Sequence, residues 1–426
     1  MKGSSPFRLW PILLFLNLIA TCCFALQTGE TCSSNSQCDS DLQCNTCSAD
    51  GRAISLCARI KPLNPASKVQ RLPFNKYSWL TTHNSFALLG AKSPLGSPLF
   101  TTFNQEDSIT SQLNNGVRGL MLDMYDFNDD IWLCHSFAGK CYNFTAFQPA
   151  IEVLKEIEHF LAGNPSEIVT IFIEDYVESP KGLSNLFNAS GLSRFWFPVN
   201  RMPTDGSEWP TIDDMVRKNQ RLVVFTSKRG KEAIEGVAYN WKYVVENQYG
   251  DGGMLTGLCT NRAESVGLAA RNVSLLLVNH FPTDTNGSRA CVDNSGPLMD
   301  TIGTCQSAAQ RWPNFIAVDF YQRSTGGGAP AAVDKANGKL TCGCDSVAYC
   351  VVFFTRFLRI FQGILFCFLQ KNAPGTCRVP KIPSTQPSPV NEFNSVTRRN
   401  DTSNAAAKIS VVWFLLSVLV ATYLLL

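Results

Sequence analysis

The chain has 426 residues with a formal net charge of +3, and it contains 17 cysteines but only four histidines. So small a net charge, without a basic tract, gives no reason to expect a nucleic-acid partner. Many cysteines in an exported chain indicate disulfides, because disulfides persist in oxidising compartments.

The first 25 residues have the pattern of a secretory signal peptide. Lys2 and Arg8 precede an apolar run that begins at Trp10, and small residues suit cleavage after Ala25. An uncleaved anchor helix is the alternative, disfavoured because the apolar run is short for a bilayer. Cleavage would remove Cys22 and Cys23 and leave 15 of the 17 cysteines.

Residues 26–62 form a cysteine-rich module. A segment this short buries little apolar area and needs cross-links to hold a shape. The spacing of Cys44 and Cys47 also allows a metal site, but an oxidising compartment favours disulfides. The module has an odd number of cysteines, so one of them must pair with the following domain; they are Cys32, Cys38, Cys44, Cys47 and Cys57.

Residues 63–350 alternate short apolar runs with helical stretches, which predicts one α/β domain folded as a TIM-like barrel. The run at 222–226 indicates a strand buried on both faces, as parallel sheets require. The predicted strands are 78–82, 119–125, 168–173, 222–226, 275–278 and 315–319, and the predicted helices are 150–161, 213–218 and 260–271.

Residues 351–369 are an apolar, aromatic run that does not fit this plan. As a membrane span the run is marginal in length, and Arg356 and Arg359 would each cost about 3 kcal/mol on insertion. We interpret it as an inserted segment, such as one from an unspliced transcript, that disturbs a disulfide-closed end. Cys367 inside it is the expected unpaired cysteine.

The end of the chain has the pattern of a lipid-anchored surface protein. Residues 370–403 comprise the disulfide-closed end and a stalk rich in Pro, Ser, Thr and Asn. Residues 404–426 resemble a signal that is removed and replaced by a glycosylphosphatidylinositol (GPI) anchor, with Ser403 and Asn404 as candidate attachment sites. A tail-anchored helix is the alternative, but no basic cluster would hold it on the far side.

Five Asn-x-Ser/Thr sequons agree with an extracellular surface, and we expect the protein on the outer face of the plasma membrane. The candidate glycosylation sites are Asn143, Asn188, Asn272, Asn286 and Asn400.

Two of the four histidines, His83 in TTHNS and His135 in WLCHS, enclose the stretch GVRGLMLDMYDF. Such a pair suggests an acid and a base on the two sides of a reacting phosphate. With Gln105 and residues 108–118 between the histidines, the pattern resembles the X region of phosphatidylinositol-specific phospholipase C. The overall plan is most similar to the secreted, plant-type X-domain-containing proteins, from about residue 72 to about residue 350.

The resemblance implies a reaction and roles for three residues. In the resembling enzymes the 2-hydroxyl of inositol attacks the phosphodiester, which forms a cyclic phosphate and frees diacylglycerol. By position, His83 matches the general base and His135 the general acid. Asp319 matches the carboxylate that holds His83 in its working tautomer.

The resemblance also implies calcium. Calcium-dependent members use an Asn beside the base histidine, two acidic groups on the second strand and one on the third, whereas bacterial members have an arginine at the place of Asp123. Here Asn84, Asp123 and Glu174 occupy three of the four places, and Met121 occupies the fourth. Calcium can complete its oxygen ligands with water, so we expect a weaker calcium site.

The predicted site lies at the rim where barrel strands end, because His83, Asp123, His135, Glu174 and Asp319 each follow or end a strand. Arg118 is a candidate substrate-binding residue, although an ion-pairing role beneath the site is favoured. Of the other histidines, we expect His280 to be packed at a strand end and His159 to lie on the surface.

The predicted function is an extracellular phosphoric diester hydrolase that cleaves a phosphoinositide-like phosphodiester at the outer leaflet. One alternative is an inactive barrel that acts as a cell-surface binding protein, which Met121 and the cysteine-rich module favour. Another is a glycerophosphodiester phosphodiesterase, which would carry a Glu-x-Asp pair where this chain has Met121 and Asp123.

Overall fold

The computed structural model describes residues 25–49, 52–69, 72–351, 356–361, 364–369 and 375–378. The predicted signal peptide up to residue 24, most of the stalk and the anchor signal lie outside these ranges, as do Asn400, Ser403 and Asn404. Within the described ranges, no helix is both long enough and apolar enough to cross a membrane.

The cysteine-rich module is a two-stranded antiparallel sheet preceded by a 3₁₀ turn at Asn35–Gln37. Its strands are β1 (Leu42–Ala49) and β2 (Arg52–Arg59). Disulfides Cys32–Cys44 and Cys38–Cys57 lie within the module, and Cys47–Cys291 joins it to the main domain. The predicted link between the two parts is confirmed, and the metal alternative is wrong because Cys44 and Cys47 both form disulfides.

The main domain is a TIM-like barrel whose ten-stranded sheet has eight parallel strands along one path. Its strands are β3 (Trp79–Thr82), β4 (Val117–Phe127), β5 (Asp130–Cys134), β6 (Ala146–Pro149), β7 (Val169–Tyr176), β8 (Leu222–Thr226), β9 (Ala238–Tyr239), β10 (Val244–Glu246), β11 (Leu275–His280) and β12 (Phe315–Val318). The path runs β10-β11-β12-β3-β4-β7-β8-β9, and β5 and β6 extend β4 in antiparallel fashion. In the described chain the edge strands β9 and β10 do not pair, so the barrel is open between them.

All six predicted strands are confirmed within a few residues of their expected bounds. Apolar runs buried on both faces made several of them predictable, as β8 shows along its whole length. Inside the barrel, Phe172 packs against Phe225 and Phe315, with ring centroids 5.4 and 4.9 Å apart. These aromatic rings fill the barrel beneath the polar rim.

Helices lie between the strands, and the predicted helices at 150–161 and 213–218 are confirmed. The α-helices are Pro65–Lys68, Ile109–Asn114, Ala150–Gly163, Gly182–Ala189, Ile212–Arg217, Arg229–Glu235, Asn240–Tyr243, Gly287–Asp293, Gly296–Ala309 and Gly328–Thr341. Further 3₁₀ helices are Phe74–Lys76, Leu192–Phe195, Val199–Arg201, Asp251–Gly253 and Val347–Tyr349.

The predicted helix at 260–271 is wrong, because that segment consists of turns and irregular backbone. Part of its main chain bonds to the last residue of β10 and to the segment after it. The Gln248 N–H donates to the Thr260 carbonyl at 2.7 Å, and the Arg262 N–H donates to the Glu246 carbonyl at 3.1 Å. Tertiary hydrogen bonds therefore replace the helical ones that the local sequence suggested.

The end of the described chain is closed by two disulfides, Cys342–Cys350 and Cys344–Cys377. Strand β13 (Cys350–Val351) pairs with β16 (Thr376–Cys377), and the hairpin of β14 (Arg356–Phe361) and β15 (Ile364–Leu369) lies between them in sequence. Because β13 and β16 pair, the residues just before and just after the intervening segment are adjacent, as expected for an insertion. That residues 351–369 are an insertion stays a prediction, and the side chain of Cys367 lies outside what is described.

Candidate active site

A cavity of about 230 Å³ opens at the ends of the parallel strands. Five predicted site residues line it: His83, Asn84, Asp123, His135 and Glu174. Those on or just after β3, β4 and β7 come from parallel strands whose carboxyl ends point to one rim. His135 reaches the same rim because β5 returns antiparallel to β4 after a tight turn. Of the five side chains predicted to converge at the rim, four line the cavity, while Asp319 contacts His83 without lining it.

His83 follows β3 and is held by a buried carboxylate. Its Nδ1 lies 2.8 Å from Oδ1 of Asp319, which is almost fully buried. The ring also stacks on Phe281, with centroids 3.6 Å apart and planes 5° from parallel. Since the carboxylate engages Nδ1–H, Nε2 is the nitrogen left to accept a proton.

His135 follows β5, and both of its ring nitrogens have partners. Nδ1 lies 3.0 Å from the Thr102 carbonyl oxygen, and Nε2 lies 3.2 Å from the Asn84 amide nitrogen. These contacts fit a neutral imidazole that donates from Nδ1 and accepts at Nε2. Burial, and secondarily the charge of His83, lower the pKa of His135 from its ordinary value.

One short segment, residues 101–105, supports both histidines. The Thr101 hydroxyl donates to the His135 carbonyl at 2.7 Å, and Thr102 contacts the ring. The Asn104 amide donates to Asp319 Oδ1 at 2.9 Å, while Gln105 donates to the His83 carbonyl at 2.8 Å. Sequence reasoning noted Gln105 only as part of the family pattern and missed Thr102 and Asn104, which carry no motif of their own.

Asp123 and Glu174 are direct neighbours in the register of β4 and β7. Burial, and next the charge of Glu174, raise the pKa of Asp123 well above its usual range. The Tyr176 hydroxyl donates to Glu174, and the Tyr125 and Tyr176 rings stack with centroids 4.3 Å apart. The buried Asp123 and the exposed Glu174 therefore lie side by side in the lining of the cavity.

This part of the cavity fits calcium by its chemistry. Oxygen ligands suit Ca²⁺, and the two adjacent carboxylates lie near Asn84, the other predicted ligand. No described lysine or arginine forms an ion pair with Asp123, so a cation would relieve the repulsion between the carboxylates. Met121 lines the cavity at the fourth place, where it offers no oxygen.

The opposite wall of the cavity was not anticipated. The guanidinium of Arg262 pairs with Glu246 at 3.0 Å and lies 5.0 Å from the Trp241 ring centroid and 4.7 Å from that of Tyr249. Glu246 is buried and also accepts from Trp241 Nε1 at 2.8 Å. Nothing in the sequence indicated that this wall faces the histidines, because residues 241–262 are far in sequence from β3, β4 and β5. The fold brings the two sides of the cavity together.

The prediction of Arg118 as a substrate-binding residue is wrong. Arg118 pairs with Glu167 at 2.8 Å and donates to the carbonyls of Leu113 and Val117. It lies at the beginning of β4, while Asp123 lies near the other end of that strand. The alternative interpretation, an ion-pairing residue beneath the site, agrees with these contacts.

The two remaining histidines lie where they were expected. His280 is buried at the end of β11, with Nε2 2.8 Å from the Asp293 carbonyl oxygen, and burial lowers its pKa to about 4. His159 is exposed on the helix Ala150–Gly163. Neither residue lines the cavity.

Aromatic side chains lie exposed beside His135. Disulfide Cys134–Cys141 closes a loop in which Ser136 lines the cavity and Phe137 is 59% exposed. The rings of Phe137, Tyr142 and Phe144 stack in series at centroid distances of 5.2 and 5.3 Å. Phe100, 73% exposed, joins this cluster because its N–H donates to the Phe144 carbonyl at 2.8 Å. We call these four residues the aromatic rim.

Four of the predicted glycosylation sites are exposed in the structure: Asn143, Asn188, Asn272 and Asn286. The side chain of Asn286 also caps a helix by accepting from the Arg289 N–H at 2.8 Å. Attachment of glycans at these residues stays a prediction.

The fold and cavity define a TIM-like barrel with a histidine pair and two carboxylates at its rim. The family model described as PI-PLC X 1 matches residues 74–333, more than half of the chain, and the chain belongs to the PI-PLC X domain family. A PI-PLC X domain-containing protein of Arabidopsis thaliana is 54% identical over 325 residues, 76% of each chain. An uncharacterised secreted protein of Arthroderma benhamiae is 23% identical over 279 residues, 61% of this chain and 60% of the relative.

Solved structures of bacterial enzymes are similar at lower identity. The phosphatidylinositol-specific phospholipase C of Listeria monocytogenes is 17% identical, with a TM-score of 0.41 over 61% of this chain and 93% of its own. A variant of the Staphylococcus aureus enzyme is 14% identical, with a TM-score of 0.40 over 64% of this chain and 97% of its own.

Proposed function

We propose that the protein is a phosphoric diester hydrolase of the phosphatidylinositol phospholipase C type. The observation that carries the proposal is the arrangement of His83 and His135 on one cavity, each with a fixed tautomer. One imidazole is backed by a buried carboxylate, while the other is backed by a carbonyl. Such unlike surroundings suit a base and an acid.

In the proposed reaction, Nε2 of His83 takes the proton of the inositol 2-hydroxyl as that oxygen bonds to phosphorus. The buried Asp319 stabilises the imidazolium that results. The bond from phosphorus to the glycerol oxygen breaks, and His135 gives its proton to that oxygen. The products are an inositol cyclic phosphate and diacylglycerol.

His135 must be protonated to act as an acid, although burial lowers its pKa in the empty cavity. A bound phosphodiester brings a negative charge next to the ring and favours the imidazolium. Protonation would also reorganise the contact at Nε2, where the Asn84 amide now donates. Substrate binding and charging of His135 are therefore coupled in this proposal.

Calcium is part of the proposal, with Asn84, Asp123 and Glu174 as the residues that would hold it. When bound, it would supply positive charge against the non-bridging phosphate oxygens. Without a cation, the two carboxylates would repel an anionic substrate.

We infer that the substrate is a lipid at the outer surface of a membrane. The aromatic rim beside the cavity offers three exposed phenylalanine rings that could enter the apolar part of a membrane. The amphipathic ring of Tyr142 suits the membrane–water interface. Seven disulfides among the described side chains agree with an exported protein. Retention on the outer leaflet through a GPI anchor belongs to the same proposal.

The second candidate function is a cell-surface binding protein without turnover. Met121 favours it, because a thioether stands in the cavity where a fourth oxygen ligand is expected. A glycerophosphodiester phosphodiesterase is the third candidate. Met121 counts against it as well, because that class is expected to carry a glutamate at this place.

The test uses residues 26–378, so that the disulfide Cys344–Cys377 is retained. The protein is incubated with labelled phosphatidylinositol in vesicles and with glycerophosphodiesters, each with and without calcium. We expect inositol 1,2-cyclic phosphate from wild type and from His159→Ala, a control that alters an exposed histidine. His83→Ala and His135→Ala should produce none.

No product from a folded wild-type protein would favour the binding protein. Release of glycerol phosphate from the glycerophosphodiesters would favour the third candidate.

A further inference from the structure

We propose that the head group bound by this site is a polyol whose hydroxyls are free: inositol without phosphates beyond the scissile phosphodiester. This inference rests on the proposed function and narrows its substrate class. Its basis is the wall that faces the histidines, lined by Asn240, Trp241, Glu246, Tyr249 and Arg262.

The charge of the cavity disfavours additional phosphates. The described residues that line it include the carboxylates of Asp123, Glu174 and Glu246, no lysine, and a single guanidinium, that of Arg262. Calcium, if bound, would set two positive charges against three negative ones, the carboxylates of Asp123 and Glu174 and the scissile phosphate. It would therefore leave no positive charge for a phosphate elsewhere on the ring.

The positive charge of Arg262 is already balanced by two carboxylates. Nη1 pairs with the buried Glu246 at 3.0 Å, and Nε pairs with Glu264 at 3.1 Å. Aromatic rings within 5.0 Å of the guanidinium further fix its position. An arginine committed to two carboxylates cannot neutralise a phosphate without leaving a buried carboxylate unpaired, which is costly.

Lys228, a cation near the rim, does not line the cavity. It is exposed, and its ammonium lies 6.0 Å from the centroid of the Tyr176 ring.

The same wall suits hydroxyl groups. Asn240 is only 8% exposed and lines the cavity, and its Oδ1 has no hydrogen-bond partner in the part of the chain that the structure describes. An unpaired amide oxygen accepts from a hydroxyl but repels the oxygens of a phosphate. Tyr249, which is about half exposed, offers a ring face to the C–H groups of a polyol.

The experiment compares phosphatidylinositol, its 4-phosphate and its 4,5-bisphosphate at equal mole fraction in vesicles. Phosphatidylserine is adjusted so that all vesicles carry the same surface charge. We expect kcat/KM for phosphatidylinositol to exceed that for the bisphosphate by about tenfold or more. An equal or faster rate with the bisphosphate would overturn the inference and leave the proposed function standing.

Head-group binding separates this inference from the proposed function. Calorimetry with His83→Ala compares inositol 1-phosphate with inositol 1,4,5-trisphosphate. Tighter binding of the monophosphate supports the inference even if no lipid is cleaved, in which case only the proposed function fails. Tighter binding of the trisphosphate, or binding of neither, overturns the inference.

Two variants test the cause of the selectivity. Thr283→Lys places an ammonium on an exposed position of the lining and should reduce the preference for phosphatidylinositol over its bisphosphate. Thr283→Gln should leave that preference unchanged. Asn240→Leu should weaken monophosphate binding about tenfold, because it removes the unpaired acceptor. Unchanged preference in Thr283→Lys, with a wild-type melting temperature, would count against the charge argument.

Discussion

His83 and Asp319 are the first residues after two neighbouring parallel strands, and this sheet register brings Nδ1 within 2.8 Å of Oδ1. Thr82 of β3 is the register partner of Val318 of β12. Both strands therefore end at the same level of the sheet, and the side chains of His83 and Asp319 meet above the aromatic core. A contact between residues so far apart in sequence thus depends on strand pairing.

Asp319→Asn should lower kcat for phosphatidylinositol about 10²-fold or more, because the amide cannot stabilise the imidazolium of His83. The effect should appear in kcat with little change in KM. The matched control is Asp129→Asn, which alters an exposed carboxylate in the hairpin turn. Wild-type kcat in a folded Asp319→Asn protein would refute the proposed role.

Calcium should raise the melting temperature, because a ligand bound only to the folded state stabilises it. At a calcium concentration about tenfold above its Kd, the free energy of unfolding should rise by about 1.4 kcal/mol. For a domain of this size that corresponds to a rise of about 2 °C in melting temperature. Asp123→Asn and Glu174→Gln should each reduce the shift, and Met121→Glu should reach it at lower calcium. A shift that is the same in all three variants and wild type would place the calcium elsewhere.

The double variant Phe100→Ser, Phe137→Ser should lose activity on vesicles by about tenfold or more, since each ring buried in a membrane contributes about 2 kcal/mol. Activity on a soluble, short-chain substrate should be unchanged. Ile234→Ser is the control, because Ile234 is 69% exposed on the helix Arg229–Glu235 and is not part of the aromatic rim. Equal losses on both substrates would indicate damage to the site and not to membrane binding.

The free energy of unfolding should fall as the pH is lowered from about 6.5 to about 4. Burial lowers the pKa of His280 from 6.5 to about 4, so the unfolded chain takes up the proton first. The loss from this residue amounts to about 3 kcal/mol, and it is complete below the folded-state pKa.

Denaturant titrations at several pH values measure this dependence. His280→Gln, which keeps a donor for the Asp293 carbonyl, should flatten it, and the exposed control His159→Gln should not. An unchanged slope in His280→Gln would assign the pH dependence to other groups.

Replacing Cys47 and Cys291 together by serine should destabilise the protein more than replacing Cys134 and Cys141. The first disulfide spans 244 residues and the second spans 7, which corresponds to about 5 and about 2.5 kcal/mol of chain entropy. Denaturant unfolding of the two double variants measures the difference. The order would be reversed if the short loop beside His135 governed global stability.

The candidate site was predictable where each residue follows a recognisable strand. His83, Asp123 and Glu174 come at or just after ends of apolar runs, and strand ends of a parallel barrel converge. Arg118 was misassigned because it shares a motif with Asp123 but lies at the other end of β4. Two residues of one sequence motif can therefore lie toward opposite ends of the barrel.

The supporting residues could not be predicted, because their partners come from distant loops. Thr102 and Asn104 lie in an irregular segment, and their roles depend on where β5 and β12 end. The wall formed by Arg262 and Glu246 was hidden by a local pattern that suggested a helix. Tertiary hydrogen bonds to the β10 segment outweighed that local preference.

Apolar periodicity, cysteine content and short motifs are local properties of the chain, and they were enough to predict the α/β barrel, its cysteine-rich module and the histidine pair. The folded structure was needed to establish which disulfide joins the module to the barrel, which groups hold the two imidazoles and what lines the far wall of the cavity. Those contacts link residues that are far apart in sequence, and their geometry exists only after the strands have paired and the loops have packed at the rim.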